Sequence, residues 1–98
     1  MSSKAHILIA TEVVYYHPND EAGFFAWLSR IDCVERFEGL GSDLEITLRR
    51  TPNISDLQEL LAFFHRYRID MGQLARFETS GNRSWFRDPV KYWHTSVF

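Results

Sequence analysis

The chain has 98 residues, the length of one ordinary domain, and at that size about 60–70% of the unfolded surface is buried on folding. Apolar residues make up 45% of it, aromatics 15%, and the formal net charge is −2, which excludes the disordered class. The single cysteine, Cys33, excludes an internal disulfide and a four-thiolate zinc site; it reads as a small buried hydrophobe and fits a reducing compartment.

The apolar run Ala5-His6-Ile7-Leu8-Ile9-Ala10 is too short for a signal peptide and ends at Thr11-Glu12. No stretch approaches the roughly 18 apolar residues of a membrane span. The expectation is a single cytoplasmic domain over residues 1–98, without a linker and without a membrane partner.

Residues 6–16 read as a strand rich in β-branched and aromatic residues. Apolar residues fall on both of its faces, which predicts a central position in the sheet. A helix follows over residues 20–31, with Asn19 as N-cap and Asp20 and Glu21 at the positive end of the dipole. Phe24, Trp27, Leu28 and Ile31 have helical spacing and form its core stripe, which Phe25 widens.

A hairpin comes next. Residues 33–38 are one strand, 39–43 the turn, and 44–49 the second strand, whose strict alternation predicts one buried and one solvent-facing side. Ser55 and Gln58 have capping-box spacing ahead of a second helix, with Leu57, Leu60, Leu61 and Phe64 buried. Asp70 caps a short helix carrying Met71, Leu74 and Ala75, or Leu74 to Glu78 forms a fourth strand; the helical spacing favours the helix. Asp88-Pro89 predicts a short helix over residues 89–94.

The fold class is therefore α+β: a two-layer sandwich of three to four antiparallel strands in the order β-α-β-β-α, with two helices and an aromatic C-terminal tail. A fourth strand would make it ferredoxin-like.

Residue chemistry offers no catalytic motif. His6, His17, His65 and His94 include no i, i+4 pair, and no HExxH, CxxC or Gly-x-Ser-x-Gly pattern occurs. Gly39-Leu40-Gly41 lies between strands, not ahead of a helix, so it is no phosphate loop. Tyr16 and His17 near Asp20 and Glu21 resemble an acid–base cluster, but a strand end running into a helix cap accounts for them. No catalytic residue, metal or cofactor is expected. Arg49, Arg50, Arg66 and Arg68 form at most a local basic patch, and a pI near 6.0 argues against a nucleic-acid partner.

The charge distribution is more telling. Residues 1–48 hold eight acidic and three basic residues, net −5, and residues 49–98 hold five and eight, net +3. Glu35, Glu38, Asp43 and Glu45 crowd around one turn. Such a hairpin either steers a basic partner or protects a sheet edge with charge.

The pattern Phe24-Phe25-x-Trp27-Leu28, then Phe64-x-x-Tyr67-x-Ile69-Asp70-Met71-x-Gln73-Leu74, then Trp85-Phe86-x-Asp88-x-x-x-Tyr92-Trp93-x-x-x-Val97-Phe98 covers most of the chain. It resembles small bacterial proteins encoded beside polymorphic or contact-dependent toxins. The resemblance implies an immunity protein that binds and blocks its toxin. The matching residues are structural, so no functional residue carries over. The expected partner-binding residues are Glu35, Glu38, Asp43 and Glu45, with Glu12 and Asp20 next in line, facing a basic toxin domain. The alternatives are a regulatory or assembly domain that homodimerises through a sheet edge or the tail, and an enzyme of unrecognised type.

Overall fold

The computed structural model describes residues 6–98, and its sheet is built around the segment of strictest alternation. β1 (Ile7–Thr11) and β2 (Val34–Leu40) flank β3 (Asp43–Leu48), and both pair with it antiparallel. Register places Leu8, Ile46 and Phe37 in one row and Ala10, Leu44 and Gly39 in the next. Together with Leu48 and Val34 these make the core face.

β1 is a five-residue edge strand, not a central strand over 6–16. Glu12 takes φ 49°, which turns the chain out of the strand while its N–H still donates to the Ser42 carbonyl. Ile7 and Ile9, the source of the second apolar face, are only half-buried. β3 is the central strand. Its outward residues Glu45 and Thr47 are half-buried and buried, so that side is less open than alternation predicts.

The hairpin turn is also tighter than the expected residues 39–43. Leu40 pairs with Asp43, leaving Gly41 and Ser42 as a two-residue loop. Gly41 alone of the two has positive φ, at 63°, the pattern of a type II′ turn whose twist suits the strands.

α1 (Pro18–Arg30) begins one residue before the expected cap. His17, not Asn19, is the N-cap: its Nδ1 accepts the Asn19 N–H at 3.0 Å. Pro18 follows at the first helical position, where a missing N–H costs nothing. α2 (Ile54–Tyr67) is capped two residues earlier than expected. Asn53 Oδ1 accepts the Asp56 N–H at 2.8 Å, and Asp56 accepts the Asn53 N–H at 3.0 Å. Ser55 and Gln58 have the same spacing, but only Asp56 is also held by Arg50, at 3.0 Å to both carboxylate oxygens.

α2 ends on Arg68 in the left-handed region, φ 58°, with the Ile69 N–H closing onto the Phe64 carbonyl at 2.9 Å. That geometry favours glycine. A side chain there costs about 1–2 kcal/mol.

The core lies between sheet and helices. Phe24 meets Phe63 at 4.9 Å and Tyr67 at 4.8 Å between ring centroids, and Trp27 meets Phe63 at 5.0 Å. Such pairs add about 0.5–1.5 kcal/mol each beyond the burial itself. Half-buried Trp27 keeps its indole N–H satisfied by donating to Glu59 at 3.0 Å.

No fourth strand forms among the described residues. Met71–Phe77 is a 3-10 helix instead, capped by Asp70, which accepts the Gly72 N–H. Met71, Leu74 and Phe77 enter the core.

The tail carries two short helices, α3 (Arg83–Phe86) and α4 (His94–Val97). The helix expected over 89–94 is absent. Asp88 Oδ1 accepts the Val90 N–H at 3.0 Å as an N-cap would, but only one turn follows, closed by the Lys91 N–H on the Asp88 carbonyl at 3.0 Å. Phe86 and Trp93 are buried, and the Trp93 indole donates to the Phe86 carbonyl at 2.8 Å. Arg87 pins the end of the tail, bonded to Glu78 at 2.7 Å and lying 4.1 Å from the Phe98 ring centroid. A three-stranded antiparallel sheet with segregated helices is an α+β fold.

Candidate functional site

The side of the sheet away from the core follows from the register. Its rows are Ile7, Thr47 and Arg36; Ile9, Glu45 and Glu38; and Thr11, Asp43 and Leu40. Three of the four predicted residues therefore share one face. Glu38 and Glu45 are direct cross-strand partners, a placement that sets Cβ atoms about 4.5–5.5 Å apart. Asp43 stands two residues from Glu45 on the same side, beside half-exposed Leu40.

Glu35 differs. It sits in the irregularity between Val34 and Arg36, where two residues of β2 oppose one of β3. Its carboxylate takes the Arg36 guanidinium as partner. Among the described residues no cation forms an ion pair with Glu38, Asp43 or Glu45.

Glu12 joins the group through the backbone. Its bond to Ser42 brings it to the hairpin tip, and it lines a cleft of about 360 Å³ with Asp43, Tyr15, Phe25 and Leu44. Glu12 also lines a second cleft of about 250 Å³ with Asp20, Tyr16 and Val14. Asp20 is thus separated from the hairpin and occupied locally, accepting the Tyr16 N–H at 3.1 Å.

That second cleft is completed by Arg66, Tyr67 and Arg68. The four arginines considered in sequence do not make one patch. Arg50 is bound to Asp56, and Arg49 donates to the Val34 carbonyl. Arg66 and Arg68 remain at the end of α2. Nothing in residue spacing signals the cleft beside them, because it depends on how the segment after β1 packs against the end of α2.

The residues with reactive side chains have structural duties. His17 caps α1. Cys33 is fully buried, and burial is the main force pushing its thiol up to about 12. The described residues contain no grouping of three or more His, Cys, Asp or Glu able to hold a metal, and no helix among them is long and apolar enough to cross a membrane.

Set against known protein families, curated proteins and solved structures, the chain matches none significantly.

Proposed function

We propose that this protein works by binding, not catalysis, and that it is an immunity protein whose acidic hairpin face covers a basic surface of a bacterial toxin domain in the cytoplasm. The observation that carries the reading is the opposition of Glu38 and Glu45. Like charges directly across a sheet destabilise it by a fraction of a kcal/mol, roughly 0.2–1. At about 5 Å in water the Coulomb term alone is about 0.8 kcal/mol before screening. An Arg or Lys of a partner placed between the two carboxylates turns that repulsion into attraction. Asp43 extends the field toward the tip, where Glu12 adds to it, and Leu40 offers an apolar contact in their midst. The resemblance to toxin-neighbour proteins supplies the class of partner.

The test is co-purification with the product of the adjacent open reading frame, which this reading requires to be toxin-like, followed by stopped-flow association. Glu38→Lys with Glu45→Lys is expected to slow association at least tenfold and flatten its salt dependence. An unchanged on-rate sinks the acidic-face reading.

A second reading has one observation in its favour. Among the described residues the outer edge of β2 carries no strand. Antiparallel self-pairing about Phe37 would set Arg36 opposite Glu38 of a second copy and Val34 opposite Leu40. The irregularity after Val34 works against such pairing. Light scattering separates the two readings: a stable dimer without partner favours this one.

A further inference from the structure

The core face of the sheet is left uncovered at its hairpin end. Its last row is Ala10, Leu44 and Gly39, and two of these three are too small to fill the space beyond Phe25 of α1. The result is the cleft of about 360 Å³ beside the hairpin tip. Its walls include Tyr15, Phe25 and Leu44, all half-buried, so apolar surface is open to an occupant. Glu12 and Asp43 also line it, and among the described residues no Lys, Arg or His does.

Gly39 keeps this space open. It lies inside β2 without a positive φ, and a Cβ built on it would meet no atom within 4 Å. Neither backbone conformation nor crowding calls for glycine there. Glycine weakens a strand interior, and it marks places where another group comes close to the backbone. The charge around the cleft says which kind of group. Among the described residues no cation forms an ion pair with Glu12 or Asp43. Burial first, and then the Glu21 carboxylate, hold the Tyr15 phenol above its ordinary value, so a further negative charge faces the same wall.

We propose that this cleft takes one arginine side chain of the protein partner, with its aliphatic stem against Phe25 and Leu44 and its guanidinium beside Tyr15, Glu12 and Asp43. An apolar floor under an acidic rim suits a long side chain with a charged end. A planar guanidinium can lie on an aromatic face and still pair with a carboxylate, which an ammonium does less well. The inference rests on the acidic-face reading for the class of partner and adds where that partner is anchored. The face of Glu38 and Glu45 steers the encounter, and the cleft on the other side of the same hairpin holds the complex together.

The experiment follows amide resonances of the whole chain during titration with N-acetyl-arginine methylamide. Its citrulline counterpart has the shape without the charge, and its norleucine counterpart has only the stem. The arginine probe is expected to shift residues 12–15 and 39–44 saturably, at least fivefold tighter than either control. Gly39→Leu is expected to abolish the shift and raise the melting temperature, and Glu12→Gln to weaken binding at least threefold with the melting temperature unchanged. In the complex, Gly39→Leu is expected to speed dissociation at least tenfold and leave association unchanged, the reverse of the double lysine variant. No saturable shift with arginine, equal shifts with citrulline or norleucine, or a shift that survives both variants overturns the proposal. Association slowed by the double lysine variant with dissociation unchanged in Gly39→Leu keeps the acidic face and discards the cleft. Arginine binding in a chain that takes up no partner keeps the cleft and discards the acidic face.

Discussion

The side-chain amide of Gln73 pairs with the backbone of Ile9 as a neighbouring strand would. The Ile9 N–H donates to Oε1 at 2.9 Å, and Nε2 donates to the Ile9 carbonyl at 2.8 Å. Arg76 continues the same edge by donating to the Ile7 carbonyl at 3.2 Å. An open strand edge invites pairing with another chain; here two side chains from the 3-10 helix close it. Gln73→Ala is expected to cost about 1–3 kcal/mol through the unpaired Ile9 groups. Thermal melting reads the loss, and hydrogen exchange at the Ile9 amide locates it. Slow exchange at Ile9 in the variant would mean that the edge is protected by something other than Gln73.

Asp56 has two tasks at the start of α2: it closes the capping box with Asn53 and holds Arg50. Asp56→Ala is expected to destabilise the fold by about 2 kcal/mol, and Asn53→Ala by about 1 kcal/mol. Ser55→Ala is expected to stay within about 0.5 kcal/mol, the range of neutral surface changes. Urea denaturation of the three variants checks the order. A larger loss at Ser55 than at Asn53 would return the cap to the position that spacing alone suggests.

Those two sites show where sequence reasoning holds and where it stops. Leu57, Leu60, Leu61 and Phe64 were legible because burial imposes a period, and the structure buries all four. The strand expected over residues 44–49 was legible for the same reason and forms over Asp43–Leu48. Both caps were displaced by two residues, to His17 and Asn53, since Asn19 and Ser55 have the right chemistry and only the local backbone, with Pro18 and Arg50, decides against them. Edge against centre was not legible at Ile7 and Ile9, because strand order depends on contacts 64 residues away, at Gln73. The acidic group was legible as composition, but the face-to-face placement of Glu38 and Glu45 needs the register, which the two-residue turn at Gly41 sets. The unpaired arginines at the end of α2 were visible only as charges; their cleft is a product of tertiary packing.

Cys33 gives a pH prediction. Burial, the largest cause, raises its thiol from 9.0 to about 12, with the Asp56 carboxylate adding to the rise. A folded-state value above the unfolded one means that the unfolded chain releases this proton first. The contribution to stability is therefore complete below pH 9 and is lost as pH climbs toward 12. Native protein at pH 8 is expected to resist an aromatic disulfide reagent and to react only at its unfolding rate. Cys33→Ala is expected to remove the part of the alkaline decline that this thiol causes, seen as a shallower fall of melting temperature above pH 9. Rapid labelling of the native state would place the thiol at the surface and discard this account.

The Glu38–Glu45 opposition predicts a trade between stability and binding. If the two carboxylates are kept for a partner, relieving their repulsion should stabilise the free protein and weaken the complex. Glu38→Lys creates a cross-strand pair with Glu45 and is expected to raise stability by about 0.5 kcal/mol, an effect that shrinks as salt screens the pair. Glu45→Gln is expected to give a smaller gain, since it removes the repulsion without adding an attraction. On the proposed function both should slow association with the partner, the lysine variant more, because it presents a cation where the proposed partner is cationic. Chemical denaturation at low and high salt measures the first effect, and stopped-flow mixing measures the second. Stability that falls on these substitutions would mean that each glutamate is held by a contact within the fold, and the argument that the pair exists for a partner would lose its basis. Stability that rises while association is untouched would leave the repulsion real and move the binding surface elsewhere.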